Sequence, residues 1–149
     1  MREEFIPYEL AVKLKAIGFD EPCMYAWCIT PKHLGEREGD LFLRTDGNPF
    51  GDFFTGKNWN VSYNNNKNKI KCSAATFYQA FRWFREKYGI SAYVSPLEDG
   101  SAFYHMIYTN INVPYSNRIC TLPEKWSRYE EAELACLEKL IEIVETKSK

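Results

Sequence analysis

Phe77, Phe81, Phe84 and Tyr88 recur at spacings of four, three and four, with Ala80 between them. On a helix these positions share one face, while Gln79, Arg82 and Glu86 turn away from it. Burying each of the four rings is worth roughly 1.5–3 kcal/mol, enough for this face to anchor a core. Gly89 follows the last periodic residue, where a helix commonly closes on a left-handed glycine. Residues 90–95 then read as a strand leaving that cap.

The same reading predicts the other elements. Residues 5–17 form a first helix with Leu10, Ala11, Leu14 and Ile17 inward, Pro7 in its first turn and Gly18 at its end. After the turn residues Asp20-Glu21-Pro22, residues 23–29 (CMYAWCI) are apolar on both alternating faces, as a central strand covered on two sides would be. Residues 41–44 make a short strand between Gly39-Asp40 and Asp46-Gly47-Asn48-Pro49. Trp59, Val61 and Tyr63 alternate, as do Ile70 and Cys72 beyond a loop at 64–68, and this predicts a hairpin. A second hairpin pairs 90–95 with 102–108 around an Asp99-Gly100 turn. Residues 109–125 are a long connection with Pro114 and Pro123, and long connections often carry function. Ser127-x-x-Glu130 suits a capping box for a last helix running to Thr146. Its inner face is Tyr129, Ala132, Cys136, Leu140, Ile143 and Val144, and its outer face carries Glu131, Glu138, Glu142 and Glu145. Segregated strands and helices favour an α+β class, with about three helices packed on an antiparallel or mixed sheet of hairpins. No linker divides the chain, so a single domain over residues 1–149 is expected.

Composition narrows the function classes more than it selects one. A length of 149 residues is enough for one domain with a sizeable core. A net charge of −1 gives no whole-molecule field to attract nucleic acid or an anionic membrane. No apolar run approaches the ~18–20 residues that cross a bilayer, and MREEFIPYEL lacks the apolar core of a signal peptide. A membrane partner is therefore not expected, and nucleic acid is disfavoured. Cys23, Cys28, Cys72, Cys120 and Cys136 form no C-x-x-C pair, which reads as reduced thiols in a cytoplasmic protein. Cys23, Cys28 and His33 could supply three ligands for zinc, but no fourth is evident, and the expectation is no metal and no cofactor.

Three groups of residues bear on chemistry. Arg82, Trp83 and Arg85 make an RWFR patch on the central helix that can stack on a base or grip a phosphate. The structural alternative is an Arg82–Glu86 pair along the helix, with Trp83 widening the apolar stripe. Residues 57–71 interleave Trp59 and Tyr63 with Lys57, Lys67, Lys69 and Lys71, a pattern found in single-strand platforms, though without the fixed strand motif of a recognised module. His105 lies in a predicted strand with Tyr104 and Tyr108 and can be a general base or a structural residue. The candidate ligand-binding residues are therefore Arg82, Trp83, Arg85, Trp59, Tyr63 and His105. No catalytic residues are assigned, because nothing assembles a nucleophile, a base and an orienting group.

The phrases LKAIGFDEPC, QAFRWFREKYG and YEEAELACLEKLIEIVE resemble a family of small uncharacterised proteins from Bacteroides-type gut bacteria, their crAss-like phages and their mobile elements. Many members carry Ala-Pro before the central helix, where this chain has Ala74-Ala75, and residues 30–70 are less family-like. The resemblance implies a phage or mobile-element accessory protein in a bacterial cytoplasm and supplies no catalytic residue. Together the readings favour a non-enzymatic binding protein directed at a host component, either a host protein or a sequestered small nucleotide signal of defence. The alternatives are a small nucleotide-processing enzyme using His105 and a carboxylate, or a sequence-tolerant single-strand binder using residues 57–71. A closed aromatic pocket would favour the small ligand, and a flat apolar patch a protein.

Overall fold

The computed structural model describes residues 4–29, 41–44, 58–60, 70–109, 118–119 and 124–147. In chain order these form α1 (Tyr8–Ala16), β1 (Tyr25–Ile29), β2 (Leu41–Arg44), β3 (Ile70–Ala74), α2 (Phe77–Tyr88), β4 (Ile90–Pro96), β5 (Phe103–Thr109), β6 (Arg118–Ile119) and α3 (Tyr129–Lys147). The class is α+β, as the hydrophobic pattern predicts. The strands divide into two antiparallel sheets, ordered β2-β1-β3 and β4-β5-β6. The chain accordingly falls into two compact units, Met1–Thr76 and Phe77–Lys149.

In the first unit α1 begins later than its apolar spacing predicts. Phe5 is held in an antiparallel bridge to Thr76, and the Ile6 N–H donates to the Ala75 carbonyl at 2.9 Å. Pro7 is therefore the cap, and its carbonyl takes the Ala11 N–H at 2.9 Å. Leu10, Ala11 and Leu14 are buried. Gly18, at φ 88°, closes the helix: its N–H reaches the Lys15 carbonyl and the Phe19 N–H reaches that of Leu14. That double bond pattern needs a left-handed residue, which costs a β-carbon-bearing side chain about 1–2 kcal/mol.

β1 is the central strand, as its two-sided apolar pattern predicts. Its partner β3 carries one extra residue, because Trp27 pairs with Cys72 and Cys28 with Ile70. The carbonyl of that extra residue, Lys71, accepts from Lys15 Nζ at 2.8 Å. Ile70 and Cys72 pair with β1 as part of β3, and Trp59-Asn60 form a turn; the rest of the predicted hairpin falls on residues outside those described. Residues 61–69 lie outside the described residues.

In the second unit α2 and α3 pack on one face of the β4–β5 hairpin, and α2 also meets α3. Having two neighbours rotates the buried arc of α2. Phe77, Ala80, Trp83 and Phe84 are buried, whereas Phe81 and Tyr88 are only half-buried. At roughly 100° per residue, Ala80 sits near the middle of that arc, with Trp83 at one rim and Phe81 and Tyr88 past the other. In α3 the buried set is Ala132, Cys136, Leu137, Leu140, Ile141 and Val144. Tyr129 and Ile143, assigned inward from the sequence, are 43% exposed and half-buried respectively. Ser127 does not show the expected reach to the helix start; its hydroxyl donates to the Glu131 carboxylate at 3.2 Å. Among the described residues no helix is long and apolar enough to cross a membrane.

Candidate functional site

The β4–β5 register settles which side chains share a face. Ser91 pairs with Tyr108, Tyr93 with Met106 and Ser95 with Tyr104, so these six lie together on one face. Ile90, Ala92 and Val94 pair with Thr109, Ile107 and His105 on the other, where α2 and α3 pack. On the second face Ile90, Ile107 and His105 are buried and Ala92, Val94 and Thr109 half-buried; on the first, Tyr93 is 43% exposed and Tyr104, Met106 and Tyr108 are half-buried, with none fully buried.

The open face is organised. The Tyr93 and Tyr108 rings stack with centroids 5.7 Å apart at 24°. Their hydroxyls lie 2.9 Å apart, one donating to the other, and the Tyr93 hydroxyl also lies 3.1 Å from the Met106 sulfur. These contacts lock three flexible groups into one surface, so less side-chain entropy remains to be lost when something lands on it. Toward the hairpin turn, Leu97, Tyr104 and Met106 line an open groove of about 620 Å³, to which Glu98, Asp99 and Lys125 contribute charge. The turn itself is closed by hydrogen bonds. Asp99 accepts from the Ser101 N–H at 2.9 Å and the Ser101 hydroxyl at 2.7 Å, and these bonds hold its carboxyl below the usual range. The Gly100 N–H donates to the Leu97 carbonyl at 2.9 Å, with Gly100 at φ 69°.

The residues singled out from the sequence fall elsewhere. Trp83, read as part of an exposed patch, is 2% exposed and packs edge-on against Phe84 and Tyr88 at 5.1 and 5.2 Å. Lys87 Nζ sits 4.8 Å from its ring centroid. The RWFR run is thus split by helical geometry: Trp83 goes to the core, Arg82 is half-buried and Arg85 is exposed.

Trp59 is also a core residue, 6% exposed, in the first unit. Its indole N–H donates to the Cys23 carbonyl at 2.8 Å and its backbone N–H to Ser73 Oγ at 3.1 Å. Asn60 beside it ties Phe19 to Ser73, donating to the Phe19 carbonyl at 2.8 Å and accepting the Ser73 N–H at 2.9 Å. A side chain spent on these bonds is no stacking platform. Tyr63 lies outside the described residues, as do Lys57, Lys67 and Lys69.

His105 is on the helix-covered face. It is 3% exposed and stacks on Trp126 at 4.9 Å and 24°, where the backbones of Phe103 and Trp126 exchange hydrogen bonds. Burial pushes its pKa below the ordinary value, against opposing contributions from Glu124 and from a hydrogen bond with the Ala132 backbone. A buried neutral imidazole held this way is a packing residue of the α3 interface.

Cys23, Cys28, Cys72 and Cys136 are buried thiols, none of them in a disulfide. Burial pushes the Cys23, Cys72 and Cys136 thiols up to about 12, which leaves them protonated and poor nucleophiles. Among the described residues no group of three His, Cys, Asp or Glu could hold a metal ion. His33 and Cys120 lie outside them.

The residues that sequence reasoning passed over are Tyr93, Tyr104, Met106 and Tyr108. Their signal was present, because period-two alternation in β5 puts Tyr104, Met106 and Tyr108 on one side. What it lacked was any indication that α2 and α3 would pack on the other side. No protein-family model, curated protein or solved structure matches the chain.

Proposed function

We propose that this protein binds a partner protein without turning anything over, and that the open β4–β5 face is the gripping surface. The observation that carries this is the ordered Tyr93–Met106–Tyr108 cluster, extended by Tyr104, on a face that neither helix covers. Tyrosine and methionine are among the residues enriched in protein interfaces, where they offer large area and a polar tip. The groups that would support catalysis point the other way: His105 is buried under α3 and three of the buried thiols are held protonated.

A nucleotide signal fits the same face less well. The groove is open, and its charged residues are Glu98 and Asp99 against Lys125, a balance that does not attract phosphate. On the resemblance drawn from its sequence, the protein is an accessory of a phage or mobile element. Its target is then a host protein in the bacterial cytoplasm, and counter-defence is the natural role.

The test is recovery of a host protein on immobilised wild type, followed by calorimetry with the purified partner. Tyr93→Ala and Tyr104→Ala should each weaken that complex about thirtyfold, the loss of roughly 2 kcal/mol that a central interface residue carries. Glu138→Gln, on the exposed side of α3, should not. A partner held equally by both tyrosine variants would sink the assignment. Saturable binding of a nucleotide that is recovered altered would make the protein an enzyme.

A further inference from the structure

β4 ends its sheet, and among the described residues no strand pairs with its far side. The Leu97 N–H donates to the Ala102 carbonyl at 2.8 Å, and Leu97 and Ala102 continue the β4–β5 register. In an antiparallel ladder hydrogen-bonded pairs alternate, so Ser95, Tyr93 and Ser91 direct their backbone groups to β5. The N–H and C=O groups of Ile90, Ala92 and Val94 therefore point outward, joined by the Pro96 carbonyl. Proteins ordinarily blunt such an edge with a charge, a bulge or an inner proline. This edge, ISAYVSP, has no charged residue, runs in uninterrupted register, and has proline only at its last position.

We infer that the edge is occupied by β4 of a second copy of this chain, antiparallel about a two-fold axis at Tyr93. The strand is complementary to its own reverse. Centred on Tyr93, Ala92 meets Val94, Ser91 meets Ser95 and Ile90 meets Pro96 of the second copy. Each outward N–H of Ile90, Ala92 and Val94 then finds an outward carbonyl, and Pro96, which has no N–H to offer, supplies only its carbonyl. No like charges oppose, because the strand carries none. The same patch serves both copies, which is the condition for a closed two-fold dimer rather than an open chain. The two sheets become one, and the open faces join in a row running Tyr108, Tyr93, Tyr93, Tyr108 across the axis. The gripping surface is doubled without any new side chain.

Light scattering and sedimentation of the purified full chain should give twice the 17.5 kDa chain mass, dissociating on dilution. Val94→Pro removes an outward N–H that β5 does not use, and proline is tolerated on a strand edge. It should weaken the dimer at least tenfold while the circular dichroism spectrum stays that of the folded chain. A second pair of variants decides the matter if that substitution impairs folding. Tyr93 faces itself at a non-hydrogen-bonded position, where Cα atoms are about 4.5 Å apart, within disulfide range. Tyr93→Cys should therefore cross-link on mild oxidation, and Ser91→Cys, opposite Ser95 in this register, should not. A wild type that stays monomeric at the highest attainable concentration overturns the inference. So does a dimer that Val94→Pro leaves intact, or one in which Ser91→Cys links and Tyr93→Cys does not. An edge found paired with a peptide of another protein overturns it equally.

Discussion

The two faces of the β4–β5 hairpin are made by alternate residues of the same two strands, yet they have opposite fates. His105 and Ile107 go under helices; Tyr104, Met106 and Tyr108, interleaved with them, stay half in solvent. Both faces are rich in rings and apolar atoms, so hydrophobicity alone does not separate them. Their neighbours do. α3 lies against both strands and α2 against β4, and they fill one side only. On that side a titratable imidazole has been desolvated and stacked on Trp126. On the other, tyrosine hydroxyls satisfy each other and a methionine sulfur while keeping access to water. The difference teaches where to look for function here: the polar atoms that remain reachable, not the residue types that are chemically most versatile.

Truncation on the covered side should be the largest effect. Phe84→Ala, at a fully buried ring of α2, is expected to cost about 3–5 kcal/mol, and Ile107→Ala about 2–5. Tyr93→Ala on the open side should cost under about 1 kcal/mol in stability. Urea denaturation of the three variants checks this, and equal losses at Ile107 and Tyr93 would erase the distinction between the faces.

The turn that joins the two strands tests whether the hairpin is rigid. Gly100 has open space where a β-carbon would sit, so Gly100→Ala meets no clash and feels only its φ of 69°. The expected cost is about 1–2 kcal/mol, read as a lower melting temperature.

His105 sharpens the comparison through pH. Its folded pKa lies below its unfolded value, so the unfolded chain binds the proton more readily. Its contribution is fully present above the ordinary imidazole value of about 6.5 and is lost as pH falls through and below it. Glu133, whose carboxyl is raised by burial and by Glu130, has the opposite slope at more acid pH. Stability measured between neutral and mildly acid pH should therefore fall less steeply in His105→Gln than in the wild type. An unchanged slope would place the imidazole in water in the folded protein.

The smallest effect belongs to the open face. Tyr108→Phe removes one hydroxyl from a partly solvated cluster, and the loss should stay under about 0.5 kcal/mol. Its value lies in partner affinity, where the same change should register if that face is the binding surface.

Much of the fold was legible because its signals are local. The apolar periods of α1, α2 and α3, the two-sided pattern of β1, and Asp99-Gly100 between two alternating runs all concern residues within one turn or one hairpin of each other. What was misread required knowledge of neighbours. The arc of α2 that is buried depends on α3 as well as on β4, so Trp83 went inside and Phe81 was left at the rim. Trp59 looked like one rung of a strand, but its indole and the Asn60 amide are tied to Cys23, Phe19 and Ser73, residues distant in sequence.

The sequence by itself determined the α+β class, the helices and most strands, and the pairing of β4 with β5. Backbone propensity and side-chain periodicity act over a few residues, and a chain carries that information wherever it is read. Only the tertiary structure decided that β3 joins β1, that His105 rather than Tyr104 is covered, and that the aromatic surface lies on the β4–β5 face rather than on α2. Those outcomes depend on which apolar face finds which partner. Alternation says that two faces differ, but burial is decided by the element that arrives to cover one of them.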